Sequence, residues 1–180
     1  MIIQGRRISV KQAVCLVLYY GFARYLPSGK FGRKVRYSIC RHIFLKCGKH
    51  VNVERLAFFA SGSRLVIGDN SGLGINCYVP GNLEVGANVM MGPNCYIFGA
   101  NHEFNRTDIP MIQQGFKSPE KTVIEDDVWI GRDVLMTPGR TIKTGRIIAA
   151  RTVLCKDFPE FSIVGGNPSK LIRNRKKNDD

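Results

Sequence analysis

Residues 66–97 read VIGDNSGLGINCYVPGNLEVGANVMMGPNCYI, and one kind of side chain returns in that stretch every six residues. Ile67, Leu73, Val79, Val85, Met91 and Ile97 are all apolar, and the series resumes as Ile124, Ile130, Met136, Ile142, Ile148 and Leu154. In a chain that is 44% hydrophobic, filling twelve slots of one chosen phase by chance has odds of roughly one in ten to twenty thousand. A second series lies four residues on and holds small or apolar side chains: Ser71, Cys77, Leu83, Val89, Cys95, Val128 and Val134. It extends back through Leu65, Phe59 and Val53, where the first series fails at Ser61, Arg55 and Lys49. Glycine follows the first slot at Gly68, Gly74, Gly86, Gly92 and Gly131, as tight turns between short strands require.

A strict period of six matches neither a helix nor an alternating strand. It fits short parallel strands joined by turns, three to a coil, stacked at about 4.8 Å. The expected fold is therefore mainly β, a parallel β-helix over residues 49–173 with an inserted loop at 99–122. An N-terminal helical segment, 1–48, precedes it and a basic tail, 174–180, follows. The chain is long enough for one domain and apolar enough for a core. Its six cysteines show no paired spacing and no cleavable leader is visible, so the thiols read as reduced and the protein as cytoplasmic.

The net charge of +13 is concentrated at one end. Residues 1–64 carry 13 Lys/Arg against a single acid, Glu54. Such a surface seeks an anionic neighbour: a membrane, a phosphorylated substrate or nucleic acid. Residues 13–26 and 33–46 read as two amphipathic helices, each too short to span a bilayer. Helices rich in aromatics, Lys and Arg can lie in a membrane interface, with about 1 kcal/mol for each basic residue near an anionic surface. The same helices can close the open end of the solenoid. The two roles are compatible, and residues 11–46 would carry the peripheral contact at the inner face of the cell membrane. Cys40, His42, Cys47 and His50 do not have a usual zinc spacing, so no metal is expected.

The repeat, with Asn101-His102-Glu103-Phe104, Asp127-Val128-Trp129-Ile130-Gly131 and Gly166-Asn167-Pro168-Ser169-Lys170-Leu171-Ile172-Arg173 in that order, resembles the hexapeptide-repeat acyltransferases. Within them it is most similar to the maltose/galactoside and xenobiotic acetyltransferase branch, and to members serving capsule, lipopolysaccharide or exopolysaccharide synthesis. The resemblance runs from about Gly48 to Arg173. It implies a left-handed coil, acetyl-coenzyme A as co-substrate, a homotrimer, and a saccharide or a nucleotide- or lipid-linked sugar as acceptor.

The break in the repeat is itself informative, because a long polar excursion costs loop entropy without adding to the core. His102, at its start, is the only histidine in or beside the repeat. Imidazole can take a proton and return it at neutral pH, and an alcohol attacking a thioester must lose one. The resemblance makes His102 the general base of a direct transfer. It also lays the coenzyme along Gly131, Arg132, Ala150, Cys155, Lys156, Lys170 and Arg173, and the acceptor near Asn76 and Asn101. Trp129, the only tryptophan, precedes an inward slot and so should point outward, as a wall for a pantetheine arm or a sugar ring. The chain departs from the family at Arg140 and Arg146, which occupy second-series slots where small residues are usual. Being six apart, they would stack on neighbouring coils. Two inward guanidinium groups cannot stay unpaired, so they would twist outward or meet acids or coenzyme phosphates.

Three functions compete on these residues. The leading one is O-acetylation of a sugar hydroxyl; the second is N-acetylation of an amino sugar or xenobiotic amine. The third is a non-catalytic module for an anionic surface or nucleic acid, which would leave His102 and the closing motif without a purpose; no nucleic-acid partner is therefore expected.

Overall fold

The computed structural model describes residues 2–3 and 6–175, with residues 2, 3, 6 and 7 as backbone only. Lys176 and Lys177 of the basic tail lie outside the described residues. Two short strands, β1 (Ile2–Ile3) and β2 (Arg6–Arg7), pair antiparallel ahead of the cap. Helix α1 (Val10–Gly21) starts three residues earlier than its apolar run, because Ser9 and Gln12 form a reciprocal capping box that satisfies two free N–H groups of the first turn. Helix α2 (Lys30–Cys40) follows a short 3₁₀ turn at Ala23–Tyr25. It stops before Lys46, which enters the solenoid rather than the helix.

The coils are built from two-residue strands. β3 (Lys46–Cys47) and β4 (Asn52–Val53) belong to the first coil, β5 (Val66–Ile67) and β6 (Gly72–Leu73) to the second. The third holds β7 (Glu84–Val85), β8 (Met90–Met91) and β9 (Tyr96–Ile97); the fourth holds β10 (Val123–Ile124), β11 (Trp129–Ile130) and β12 (Leu135–Met136). The fifth holds β13 (Thr141–Ile142), β14 (Ile147–Ile148) and β15 (Val153–Leu154). Like strands stack in parallel into three faces: β3-β5-β7-β10-β13; β4 and β6 followed by β8-β11-β14; and β9-β12-β15, which continues a column of Phe58 and Tyr78. β16 (Ser162–Gly165) extends the second face and β17 (Lys170–Asn174) folds back antiparallel on it.

Eleven of the twelve first-series residues are buried, Met91 being half-buried, and the named second-series residues are buried as well except Arg140, which is half-buried. Removing such aliphatic side chains from water contributes about 1.5–3 kcal/mol each. The register corrects one assignment. Val53 pairs with Leu73 and Phe58 with Tyr78, twenty residues on, whereas Ile67 pairs with Val85, eighteen on. Two extra residues at the corner after Phe58 shift the phase, so Val53 and Phe59 continue the first series, and Val51 and Ala57 hold the second-series slots.

Both open ends are closed by side chains that donate to edge carbonyls. At the N-terminal end Arg36, fully buried, donates to the carbonyls of Val53 (2.6 Å) and Leu26 (2.8 Å). Tyr19 reaches Ala57, Tyr20 reaches Ala60 and Tyr37 reaches Gly48 at 2.8–3.1 Å. Glu54 joins the cap to the coil through Arg33 (2.8 Å), Ser28 and Asn52. Burial opposes its charge, but those hydrogen bonds and the charges of Arg33 and Arg36 hold the carboxyl below its ordinary value.

At the other end Arg146 is also fully buried. Among the described residues it forms no ion pair; it donates to Thr141 O (3.2 Å), Pro159 O (2.9 Å) and Ser162 Oγ (3.1 Å). Thr141 lies on β13, the last strand of the first face, whose N–H is in turn taken by Asp157 (3.1 Å). Arg140 instead runs sideways, donating to Pro138 O and Cys155 O, with Asp157 at 3.7 Å. The two arginines are not stacked. A stacked pair is eighteen residues apart, so residues six apart occupy adjacent corners of one coil.

Arg146→Ala removes donors from two carbonyls and a hydroxyl at a buried end and is expected to cost about 3 kcal/mol. Arg140→Ala, at a partly exposed site, is expected to cost less than about 1 kcal/mol. Urea unfolding at one fixed protein concentration checks both; equal losses would count against the end-cap role of Arg146.

Candidate active site

The chain leaves the solenoid at the corner between the third and first faces, directly after β9, and returns at β10. The neck of this loop is two-stranded. Glu103 N–H donates to Gly115 O (3.1 Å) and Lys117 N–H to Asn101 O (2.8 Å), which sets His102 opposite Phe116. The tip is tied by Gln114, whose side chain accepts from Arg106 N–H (3.1 Å) and donates to Arg106 O (2.8 Å) and Ile109 O (3.1 Å). Arg106 pairs with Asp108. His102 is thus placed by backbone pairing, and its ring lies 4.2 Å from the Phe116 ring at 31°. The imidazole is exposed, and among the described residues nothing hydrogen-bonds to it; Glu103, its neighbour in sequence, does not. Asn101 is exposed beside it.

A second group of expected site residues lies on a different corner, between the second and third faces. There Gly74, Gly92 and Gly131 stack so closely that a Cβ on Gly131 would come 2.6 Å from the backbone nitrogen of Ala150. Only glycine allows that approach. Asn76 sits in the same corner at φ 52°, and its amide donates to Asn94 (3.0 Å), whose own amide donates to Asp133 (2.9 Å). Arg132 and Arg151 flank Asp133 at 3.3 and 3.8 Å. The hydrogen bond from Asn94, with those two guanidinium groups, holds the Asp133 carboxyl below its ordinary value. In this column of Asn, Asn, Asp and Arg, the sequence marks Asn76 and, as arginines in place of small residues near the coenzyme path, Arg132 and Arg151; Asn94 and Asp133 were not anticipated, although each lies 18 residues from a marked position.

Cys155 occupies the corner from which the His102 loop departs, and Lys156 follows it with its ammonium 5.4 Å from the Phe158 ring. Lys170 and Arg173 are exposed on β17. Trp129 projects from the second face, 51% exposed, in register between Met90 and Ile147. A single chain therefore does not gather the expected residues. The third face separates His102, Asn101 and Cys155 from Asn76, Gly131, Arg132 and Ala150. Among the described residues no three His, Cys, Asp or Glu side chains converge as a metal site.

Residues 64–99 match the family described as bacterial transferase hexapeptide (six repeats). A putative acetyltransferase of Saccharomyces cerevisiae is 32% identical over 137 residues, 75% of this chain and 68% of that protein. The chain belongs to the hexapeptide-repeat acyltransferases. Chloramphenicol acetyltransferase of Agrobacterium fabrum is 44% identical over 61 residues, but that match takes in 34% of this chain and only 29% of the relative. The maltose O-acetyltransferase structure from Clostridium difficile superposes with a TM-score of 0.75 at 29% identity, covering 93% of this chain and 87% of its own. A galactoside acetyltransferase solved with coenzyme A gives 0.76 at 26% identity, covering 92% and 81%.

As a member of that family, this chain carries one thiol suited to report on the corner from which the His102 loop departs. Cys155 is exposed, and hydrogen bonding with the Ser169 hydroxyl (3.7 Å) lowers its pKa. Burial pushes Cys77 up to about 12 and Cys95 and Cys47 up to about 11. Alkylation by iodoacetamide at mildly alkaline pH is expected to modify Cys155 first, since the thiolate is the nucleophile. Ser169→Ala is expected to slow it several-fold. Peptide mass mapping against time reads both.

Proposed function

We propose that this chain transfers an acetyl group from acetyl-coenzyme A to a hydroxyl of a sugar, with His102 as general base. The observation that carries the reading is the state of that side chain. It is an exposed imidazole, placed by a two-stranded neck and an aromatic ring, with no protein hydrogen bond among the described residues to occupy it. Its ring nitrogens are thus available to a substrate hydroxyl. The acceptor oxygen attacks the thioester carbonyl carbon while the imidazole removes its proton. The tetrahedral adduct then expels the coenzyme sulfur, the imidazolium returns the proton to it, and no acyl-enzyme forms. A base in this position contributes about 10²–10⁴ in rate.

The division of the site between two corners supports a trimer in which one subunit's loop faces a neighbour's glycine corner. The exposed Phe104, Ile112 and Phe116 of the loop and Met90 and Trp129 of the second face are apolar surface that such packing would cover. Coenzyme A would then lie along Gly131, Arg132 and Ala150, with Cys155, Lys156, Lys170 and Arg173 as further contacts and the basic ones near its phosphates. Asn76, Asn101 and Trp129 would meet the acceptor. The relatives that act on galactosides and maltose support a saccharide, free or linked to a nucleotide or lipid, and polysaccharide synthesis as the setting.

His102→Ala is expected to reduce thiol release from acetyl-coenzyme A with a sugar acceptor by about 10²–10⁴ while leaving urea unfolding unchanged. Near-normal turnover in that variant would remove the assignment. Acetyl-coenzyme A is expected to protect Cys155 from alkylation in both forms, which reads binding apart from turnover. A solution mass other than three chains would remove the shared site.

A further inference from the structure

Helix α1 is apolar on two sides. Its inner side buries Cys15 and Tyr19 against the first coil. Its outer side presents Val10, Val14, Val17 and Leu18, and the stripe continues through Phe22 and Tyr25; these six side chains are 48–83% exposed. Their spacing of three and four is that of one helical face, the side on which a helix that only caps a solenoid would carry polar residues. Between α1 and the first coil runs a hollow of about 440 Å³ lined by Ile8, Ala13, Leu16, Val17, Tyr20 and Ala60 together with Ser61. The Tyr20 hydroxyl is already engaged with Ala60 O, so the hollow suits hydrocarbon.

The charge of the N-terminal cap has one sign. Glu54 is the only acid in the first 68 residues, and it is nearly buried between Arg33 and Arg36. Lys11, Lys30, Lys34 and Arg41 stand exposed. No helix among the described residues is long and apolar enough to cross a membrane.

We propose that the outer face of the N-terminal cap docks on an anionic phospholipid bilayer, with the α1 stripe in the acyl boundary and the surrounding lysines and Arg41 at the phosphates. Nucleic acid would meet the charge and leave Val10, Val14 and Val17 facing water. A second copy of the cap would cover the stripe and bring two acid-poor surfaces together against their repulsion. A bilayer with negative headgroups meets both features at once. This inference does not rest on the acetyl-transfer reading, since its test measures binding to lipid.

The test is co-sedimentation of the full chain with vesicles of phosphatidylcholine, alone and mixed with phosphatidylglycerol, at low and high salt. Binding is expected to the mixed vesicles, to weaken about tenfold at high salt, and to weaken at least about tenfold in the Val14→Glu/Val17→Glu variant. Both positions are exposed, so unchanged unfolding and unchanged thiol release mark the variant as intact. Absence of binding to the mixed vesicles overturns the proposal. So does equal binding by the variant, or a vesicle-free assembly that the variant dissolves, or salt-sensitive capture of duplex DNA in preference to lipid.

Discussion

Every coil of this protein must present its short strands and bridges at the height where the coils above and below present theirs. Parallel hydrogen bonding links each strand to residues about eighteen positions away, not to its sequence neighbours, so a chain error inside a strand would unpair two coils at once. Length can change only at corners. The changes present lie between strands: two residues added after Phe58, 21 added between β9 and β10, and two fewer between β14 and β16. The excursion bears His102, so the demand for register also fixes the place where chemistry can be attached without disturbing the core.

The same demand creates the problem at the ends, where a coil has no neighbour on one side. Here both ends are met by a buried guanidinium group that donates to carbonyls, Arg36 at the first coil and Arg146 at the last. A planar cation with five donors suits a row of unpaired carbonyl oxygens better than it suits one carboxylate. Arg146, expected to twist outward or to meet acids or phosphates, instead stays inward and is met by neutral acceptors. Its partners are an edge strand, a hydroxyl and a loop carbonyl, which together spread the charge over neutral acceptors.

The site follows a different logic from the core. The glycine corner is built for close backbone approach, and the loop is built to hold an imidazole in solvent. They sit on opposite sides of the third face, and in the proposed trimer a second chain would bring the two together. The cap, meanwhile, is specialised in two directions. It gives its tyrosines and Arg36 to the coil and leaves a valine- and leucine-bearing side outward.

The repeat, the coil with its strand count, the position of the inserted loop and the outward face of Trp129 were legible in the residues, because each depends on a period that local sequence carries. His102 stood out as a candidate because the repeat stops beside it. The phase shift at Phe58, the roles of Arg140 and Arg146, the Asn76–Asn94–Asp133 column and the contact of His102 with Phe116 were decided only in three dimensions. Each depends on which residue lies one coil away or across a hairpin neck, and a six-residue period does not say where a corner has gained two residues or which carbonyl has lost its partner.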